Sequence, residues 1–179
     1  MKYLQKIVIT GPESSGKSWL TAKLGEHFNA PYALEYARIF LEENGADYDF
    51  DTLEKIICGH LDYQRKYVEK SSDLIFLDTD LINFKVWEEV VFAKTHDFLE
   101  DAITNEADHL YLLTYPDLPW EADPLRENRE NRIEIFERHQ QEIERLGREY
   151  RVVKGIGQDR LQNAIICTTQ LLNQIDNGQ

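Results

Sequence analysis

The chain has 179 residues, of which 42% are hydrophobic and 30% charged, which suits one soluble domain with a buried core and leaves no apolar run of membrane-spanning length. A formal net charge of −13 opposes both nucleic-acid backbones and anionic membranes, so neither is expected as a partner. Cys58 and Cys167 are far apart and have no Cys or His companion, which excludes a zinc framework or disulfide scaffold and fits a reduced, cytoplasmic compartment.

The opening MKYLQKIVITG has no signal-peptide pattern and runs straight into a strand, LQKIVIT over 4–10. Trp19, Leu20, Lys23, Leu24 and Phe28 then recur at helical spacing until Asn29-Ala30-Pro31 stops the helix. A short strand is expected at Tyr32–Glu35, and a helix from Tyr36 closed by Asn44-Gly45. Asp51-Thr52 reads as the cap of a long helix to about Lys70. Asp73–Asp78 and His109–Thr114 read as strands apolar on both faces, with helices over about 81–94 and 97–105 between them. A Pro- and charge-rich stretch, 115–128, precedes a polar helix to about Gly147. Tyr150–Lys154 is a last strand and Asp159–Ile175 a last helix.

Doubly apolar strands separated by helices predict a doubly wound parallel α/β sheet of about five strands, a single domain over 1–179. Ligands bind such sheets beyond the carboxyl ends of the strands. Gly11, Glu35, Asp78, Tyr115 and Gly155 all fall there.

Residues 11–18, GPESSGKS, match G-x-x-x-x-G-K-[ST] between a strand and a helix, the P-loop of nucleoside triphosphate-binding proteins. Gly11 and Gly16 permit close backbone approach. The N–H groups around Ser14, Ser15 and Gly16, with the dipole of the following helix, then cradle phosphates. Lys17 reaches the β- and γ-phosphates, and the Ser18 hydroxyl is placed for Mg²⁺. The cofactors expected are therefore ATP and Mg²⁺. Asp78, ending an apolar strand, is the expected acidic metal partner. Asp80 either shares that duty or hydrogen-bonds a substrate hydroxyl.

An acidic chain that binds polyphosphate needs a local positive cluster. Arg126, Arg129 and Arg132, spaced by three, supply it and suggest a helical lid over about 121–135. The competing use of these arginines is pairing with Glu127 and Glu130.

GPESSGKS, Glu35-Tyr-Ala-Arg38, Asp78-Thr-Asp80-Leu with Lys85-Val-Trp87, and Tyr115-Pro-Asp-Leu-Pro-Trp120 followed by Asp123-Pro-Leu-Arg126 together resemble the ribosylnicotinamide kinase domain of NadR-type proteins. The resemblance runs from residue 7 to about 165. It implies ATP-dependent phosphorylation of a small molecule, nicotinamide riboside, at its 5′-hydroxyl, and by the same resemblance either Glu35 or Asp80 is the catalytic base. Trp87, Tyr115 and Trp120 offer faces for a pyridinium ring, or else pack as core and hinge residues. Asp117 and Asp123 offer charge compensation. Arg38 binds phosphate or pairs with Glu35. Gly155 and Arg160, past the last strand, are expected at the adenine, Arg160 by stacking. Trp19 departs from the small hydroxyl residue usual after Ser18, and either packs its helix on the sheet or crowds the nucleoside. No His-x-Gly-His and no helix-turn-helix pattern is present, so the expected product is the mononucleotide without adenylylation.

Overall fold

The computed structural model describes residues 4–106, 109–125 and 128–177, with side chains through Gln174. Five strands and seven helices form it among the described residues: β1 Gln5–Thr10, α1 Lys17–Phe28, β2 Tyr32–Ala33, α2 Tyr36–Asn44, α3 Phe50–Val68, β3 Leu74–Asp78, α4 Leu81–Phe92, α5 Asp97–Asn105, β4 Leu110–Thr114, α6 Arg132–Arg145, β5 Tyr150–Val153 and α7 Gly157–Asn177. Every strand pairing is parallel, in the order β2-β3-β1-β4-β5.

Alternation of side chains along each strand divides the core in two. Ile7, Ile9, Phe76, Leu110, Leu112 and Val153 face Leu20 and Leu24 of α1 and Ala164 and Leu171 of α7. Val8, Ile75, Leu77 and Tyr111 face the opposite way, onto α2 to α6. Both faces are covered, which is why the strands read as continuous apolar runs. The chain reverses its direction of winding at β1, whose neighbours are β3 and β4, so a crevice opens at the carboxyl end of β1.

Two expectations change. The cap of α3 is Asp49, whose carboxylate accepts from Thr52 N–H at 2.8 Å and the Thr52 hydroxyl at 2.6 Å. The predicted helical lid is not helical at its start: the described residues between 121 and 131 are irregular, with turns or bends at 124–125 and 129–131, and helix begins only at Arg132. Pro124 explains part of this, since the ring opposes helix in the residue before it. Asp123 Oδ1 caps a local turn by accepting from Leu125 N–H at 2.9 Å.

Candidate active site

The β1–α1 turn is built around Gly11 and Gly16. Gly11 has φ +130°, and a Cβ there would meet Thr114 Oγ1 at 2.5 Å and the Thr114 carbonyl at 2.8 Å. Gly16 has φ +78° and caps α1 with no side-chain hydrogen bond, leaving the N–H groups of the first helical turn without intrahelical acceptors. The loop is braced from within. Ser15 Oγ lies 2.7 Å from both the Pro12 carbonyl and Thr114 Oγ1, and Thr114 Oγ1 lies 2.9 Å from Thr10 O, so the two hydroxyl protons serve two of these three contacts. The buried Ser15 hydroxyl is thus a brace, and only its backbone is left to face phosphate. Lys17 Nζ donates to Pro12 O at 3.0 Å. Ser14, at φ +54°, accepts from Glu121 N–H at 2.9 Å through its hydroxyl and from Arg132 Nη1 at 3.4 Å through its carbonyl.

Thr79, at φ +67°, turns the chain between β3 and α4, held by Gln64 Nε2 on its carbonyl at 2.9 Å. The two flanking carboxylates end up in different environments. Asp78 is wholly buried and neither oxygen has a hydrogen-bond partner of ordinary geometry. Burial, and then the charge of Glu35, push its pKa up to about 7 against the pull of Lys17 and Ser18. A buried, unpartnered carboxylate beside a P-loop serine hydroxyl offers the oxygen ligands that a hard divalent cation such as Mg²⁺ takes.

Asp80 turns away. Its Oδ1 caps α4 by accepting from Ile82 N–H at 3.1 Å, and its Oδ2 accepts from Tyr111 OH at 2.6 Å, with His109 Nδ1 at 3.4 Å. Burial opposes its charge, but His109, Tyr111 and Arg148 outweigh that and hold its pKa below the ordinary carboxylate value. Arg148 reaches Tyr111 OH at 2.6 Å and the Ile103 carbonyl at 2.8 Å, completing a buried polar network behind the sheet. Asp80 is thus a buried cap of α4 whose oxygens are engaged by Ile82 and Tyr111, an arrangement that does not favour the catalytic or metal role expected of it.

A cavity of about 590 Å³ extends from the P-loop across α2, α4 and α6, and Glu35 and Arg38 line it. Glu35 sits at the N-terminus of α2 with no capping hydrogen bond from its side chain. Arg38 Nη2 donates to Asp123 Oδ2 at 3.0 Å and Nη1 to Glu42 at 3.4 Å, so its partner is Asp123 and not Glu35. That pair joins α2 to the segment preceding α6.

Of the three expected aromatic faces, only Trp87 lines the cavity. Its indole N–H donates to Tyr48 OH at 2.8 Å, which fixes the ring. Tyr115 is instead packed edge-on to Phe136, with Lys154 Nζ 4.5 Å from its ring centre. Trp120 lies outside the lining, with the Arg132 guanidinium 5.9 Å from its ring. Trp19 lines the cavity at 44% exposure, the second of the two positions open to it from the sequence.

Arg160 also departs from expectation. It is 1% exposed and donates to Asp117 Oδ1 at 2.6 Å and to the carbonyls of Gly155 (2.9 Å), Ser15 (2.8 Å) and Tyr115 (2.9 Å). Asp117 Oδ2 accepts from Gly155 N–H at 2.7 Å. The guanidinium therefore ties three loops together rather than stacking on a base, and both backbone polar groups of Gly155 are engaged internally. Asp117 serves this strut, not charge compensation of a ligand. Arg160 and the neighbouring Ile156, 62% exposed, both line the cavity.

Among the lid arginines, Arg126 lies outside the described residues. Arg129 is 69% exposed and faces Glu130 at 3.8 Å. Arg132 is the one that touches the P-loop, donating to Leu118 O at 2.9 Å as well as to Ser14 O. Lys85 points to the opposite side of α4, where it meets Glu142 at 2.6 Å and Glu89 at 3.0 Å. Asn83 and His139 line the cavity and were not singled out in the sequence. Asn83 was accessible to it, since 83, 87 and 90 lie on one face of α4.

A parallel sheet with a P-loop at its switch point, a buried strand-end carboxylate and one cavity beside them define a nucleotide-binding P-loop protein of the kinase fold. The chain belongs to the AAA_28 family of AAA domains, whose pattern matches residues 6–160. It is 31% identical over 128 residues to the trifunctional NAD biosynthesis/regulator proteins NadR of Escherichia coli (strain K12) and Salmonella typhimurium (strain LT2). That match covers 69% of this chain, and the chain spans about a third (31%) of the length of those relatives. In structure it is similar to a NadR protein in complex with NR, at TM-score 0.77 and 22% identity, covering 94% of this chain and 49% of that one. It is also similar to deoxyadenosine kinase from M. mycoides with bound dATP, at TM-score 0.62 and 13% identity, covering 96% of this chain and 99% of that one. No helix among the described residues is long and apolar enough to cross a membrane.

Proposed function

We propose that this chain transfers the γ-phosphoryl group of ATP to the 5′-hydroxyl of nicotinamide riboside, giving nicotinamide mononucleotide and ADP. The observation that carries the reading is one continuous cavity, with the P-loop at one end and Glu35, Arg38 and Trp87 on the acceptor side. The similarity to NadR proteins, one of them in complex with NR, supports this acceptor over other nucleosides.

Backbone N–H groups of the P-loop and Lys17 hold the ATP phosphates. Ser18 and Asp78 would hold Mg²⁺, which neutralises phosphate charge when bound. Glu35 accepts the proton of the 5′-hydroxyl as its oxygen bonds to the γ-phosphorus and the bond from that phosphorus to the β,γ-bridging oxygen breaks. The structure favours Glu35 over Asp80 for this task, because Glu35 lines the cavity and Asp80 is held by Tyr111 and Ile82. Trp87 supplies a fixed aromatic face to the pyridinium ring. Residues 121–135 act as the lid. Arg132 and, on closure, Arg126 and Arg129 stabilise charge on the transferring group and help exclude water.

The test is steady-state turnover with ATP-Mg²⁺ and a panel of nucleosides: nicotinamide riboside, nicotinic acid riboside, cytidine and deoxynucleosides. The expected result is the highest kcat/KM with nicotinamide riboside. Turnover of cytidine or deoxynucleosides alone refutes the acceptor, and riboside-independent hydrolysis marks an ATP-driven regulatory module.

A further inference from the structure

Asn83 and His139 meet on the cavity wall from α4 and α6, with Asn83 Oδ1 placed 3.3 Å from His139 Nε2. The other ring nitrogen, Nδ1, lies 2.8 Å from the Ile135 carbonyl. A carbonyl only accepts, so Nδ1 carries the proton and Nε2 is the acceptor of a neutral ring. Burial holds the ring's pKa down at about 4 against the Ile135 hydrogen bond, and the Lys17 charge pushes the same way.

Two acceptors do not hydrogen-bond to each other. The amide of Asn83 therefore turns its NH₂ toward Nε2, an exchange of atoms that leaves its shape unchanged, and its carbonyl oxygen is freed for the cavity. Position along the cavity follows from the neighbours. Asn83 lies in the first turn of α4, which starts just beyond the carboxyl end of β3, the strand paired with β1 where the P-loop begins, and this puts the pair at the phosphate end. Trp87 and Val90 come one and two turns further along α4, and with Leu41 and Val86 they make an apolar wall away from the phosphates. A riboside whose 5′-hydroxyl sits at the P-loop lays its ring on that wall and its sugar beside Asn83.

We infer that Asn83 is a specificity-determining residue that accepts a hydrogen bond from a vicinal hydroxyl of the acceptor's ribose, with His139 as the positioning residue that locks the amide. The inference rests on the reading of the chain as a riboside kinase. The pair is uncharged and offers an oxygen, so it suits a hydroxyl donor and gives an anionic group nothing. Deoxyribosides would leave that oxygen without its partner, which is how a site built to hydrogen-bond one group rejects a substrate lacking it.

The experiment compares kcat/KM for nicotinamide riboside and its 2′-deoxy and 3′-deoxy forms, using the unaltered protein, Asn83→Leu, His139→Phe and His139→Gln. Loss of one such hydrogen bond is expected to lower kcat/KM roughly 10- to 30-fold for one deoxy form with the unaltered protein. Asn83→Leu should lose a similar factor with the full riboside and under about 3-fold more with that deoxy form. His139→Phe should approach Asn83→Leu, while His139→Gln, which keeps an acceptor, should recover most of the loss. Discrimination below about 3-fold against both deoxy forms by the unaltered protein overturns the inference without any variant. So does an equal loss by Asn83→Leu on all three substrates. A loss that follows replacement of the ring carboxamide in nicotinic acid riboside assigns Asn83 to the ring and overturns it too. If a different ribonucleoside is the one turned over, the acceptor assignment has failed and the same comparison on that nucleoside decides the role of Asn83. Absence of any nucleoside turnover overturns both.

Discussion

Replacing Arg160 by methionine keeps most of the side-chain volume and removes the guanidinium that joins Ser15, Tyr115, Gly155 and Asp117. Four hydrogen bonds of 2.6 to 2.9 Å disappear together. Removing one partner of a buried ion pair costs about 3–5 kcal/mol, and each carbonyl left without a donor adds about 1–3 kcal/mol where water cannot reach it. Asp117 retains 27% side-chain exposure and its hydrogen bond from Gly155 N–H, so water and that bond compensate part of the loss. A destabilisation of about 3 kcal/mol is expected, at the low end of the range. Because the Ser15 carbonyl loses its tether inside the phosphate loop, KM for ATP should also rise, by roughly tenfold. Urea unfolding followed by circular dichroism gives the first quantity and ATP titration of the transferase rate the second. If Arg160 merely stacked on the base, Arg160→Met would weaken ATP binding and leave the unfolding free energy within about 0.5 kcal/mol of the parent. That outcome would refute the strut.

Lys17→Ala should abolish phosphoryl transfer with an unfolding midpoint close to the parent's, since its single internal hydrogen bond is to a loop carbonyl; activity within tenfold of the parent, measured by product formation, speaks against the phosphate cradle. Glu35→Gln should lower kcat on the order of 10²–10⁴-fold with little change in the riboside KM, and a kcat that survives removes Glu35 as the base. His60 is buried without a hydrogen-bond partner, and burial lowers its pKa to about 4. Its depressed folded-state pKa means the stability it contributes is intact above pH 6.5 and is lost as pH falls toward 4, because the unfolded chain then binds the proton first. The loss amounts to roughly 3 kcal/mol at pH 4. His60→Leu should flatten that part of the stability–pH curve, read by urea unfolding at pH 7 and pH 4.5; an unchanged slope contradicts this account.

The layered sheet was legible because the central strands β1, β3 and β4 are apolar on both faces and turn signals separate them from helices, patterns that follow directly from burial. The P-loop was legible because only glycine tolerates the approach of Thr114 to Gly11. The internal partners of Asp80 and Arg160 are hidden in the sequence for a shared reason. A charged residue just past a strand, like Asp80, or in the first turn of the next helix, like Arg160, looks the same in sequence whether it faces the ligand or the inside of the protein, and the deciding partners, Tyr111 and Asp117, lie 31 and 43 residues away. For Tyr115 and Trp120 the sequence leaves ligand face and packing equally open, because a motif orders residues along the chain without stating which way each ring points. His139 carried no signal in its polar helix; its role comes from the packing of α6 beside α4, which brings it to Asn83.

The central claim is most directly tested by incubating the purified chain with ATP, Mg²⁺ and nicotinamide riboside, and quantifying ADP and nicotinamide mononucleotide together over the time course. The account predicts equal amounts of the two products, with ADP formation falling to background when the riboside is left out. ADP produced without mononucleotide, at a rate indifferent to the riboside, would contradict it.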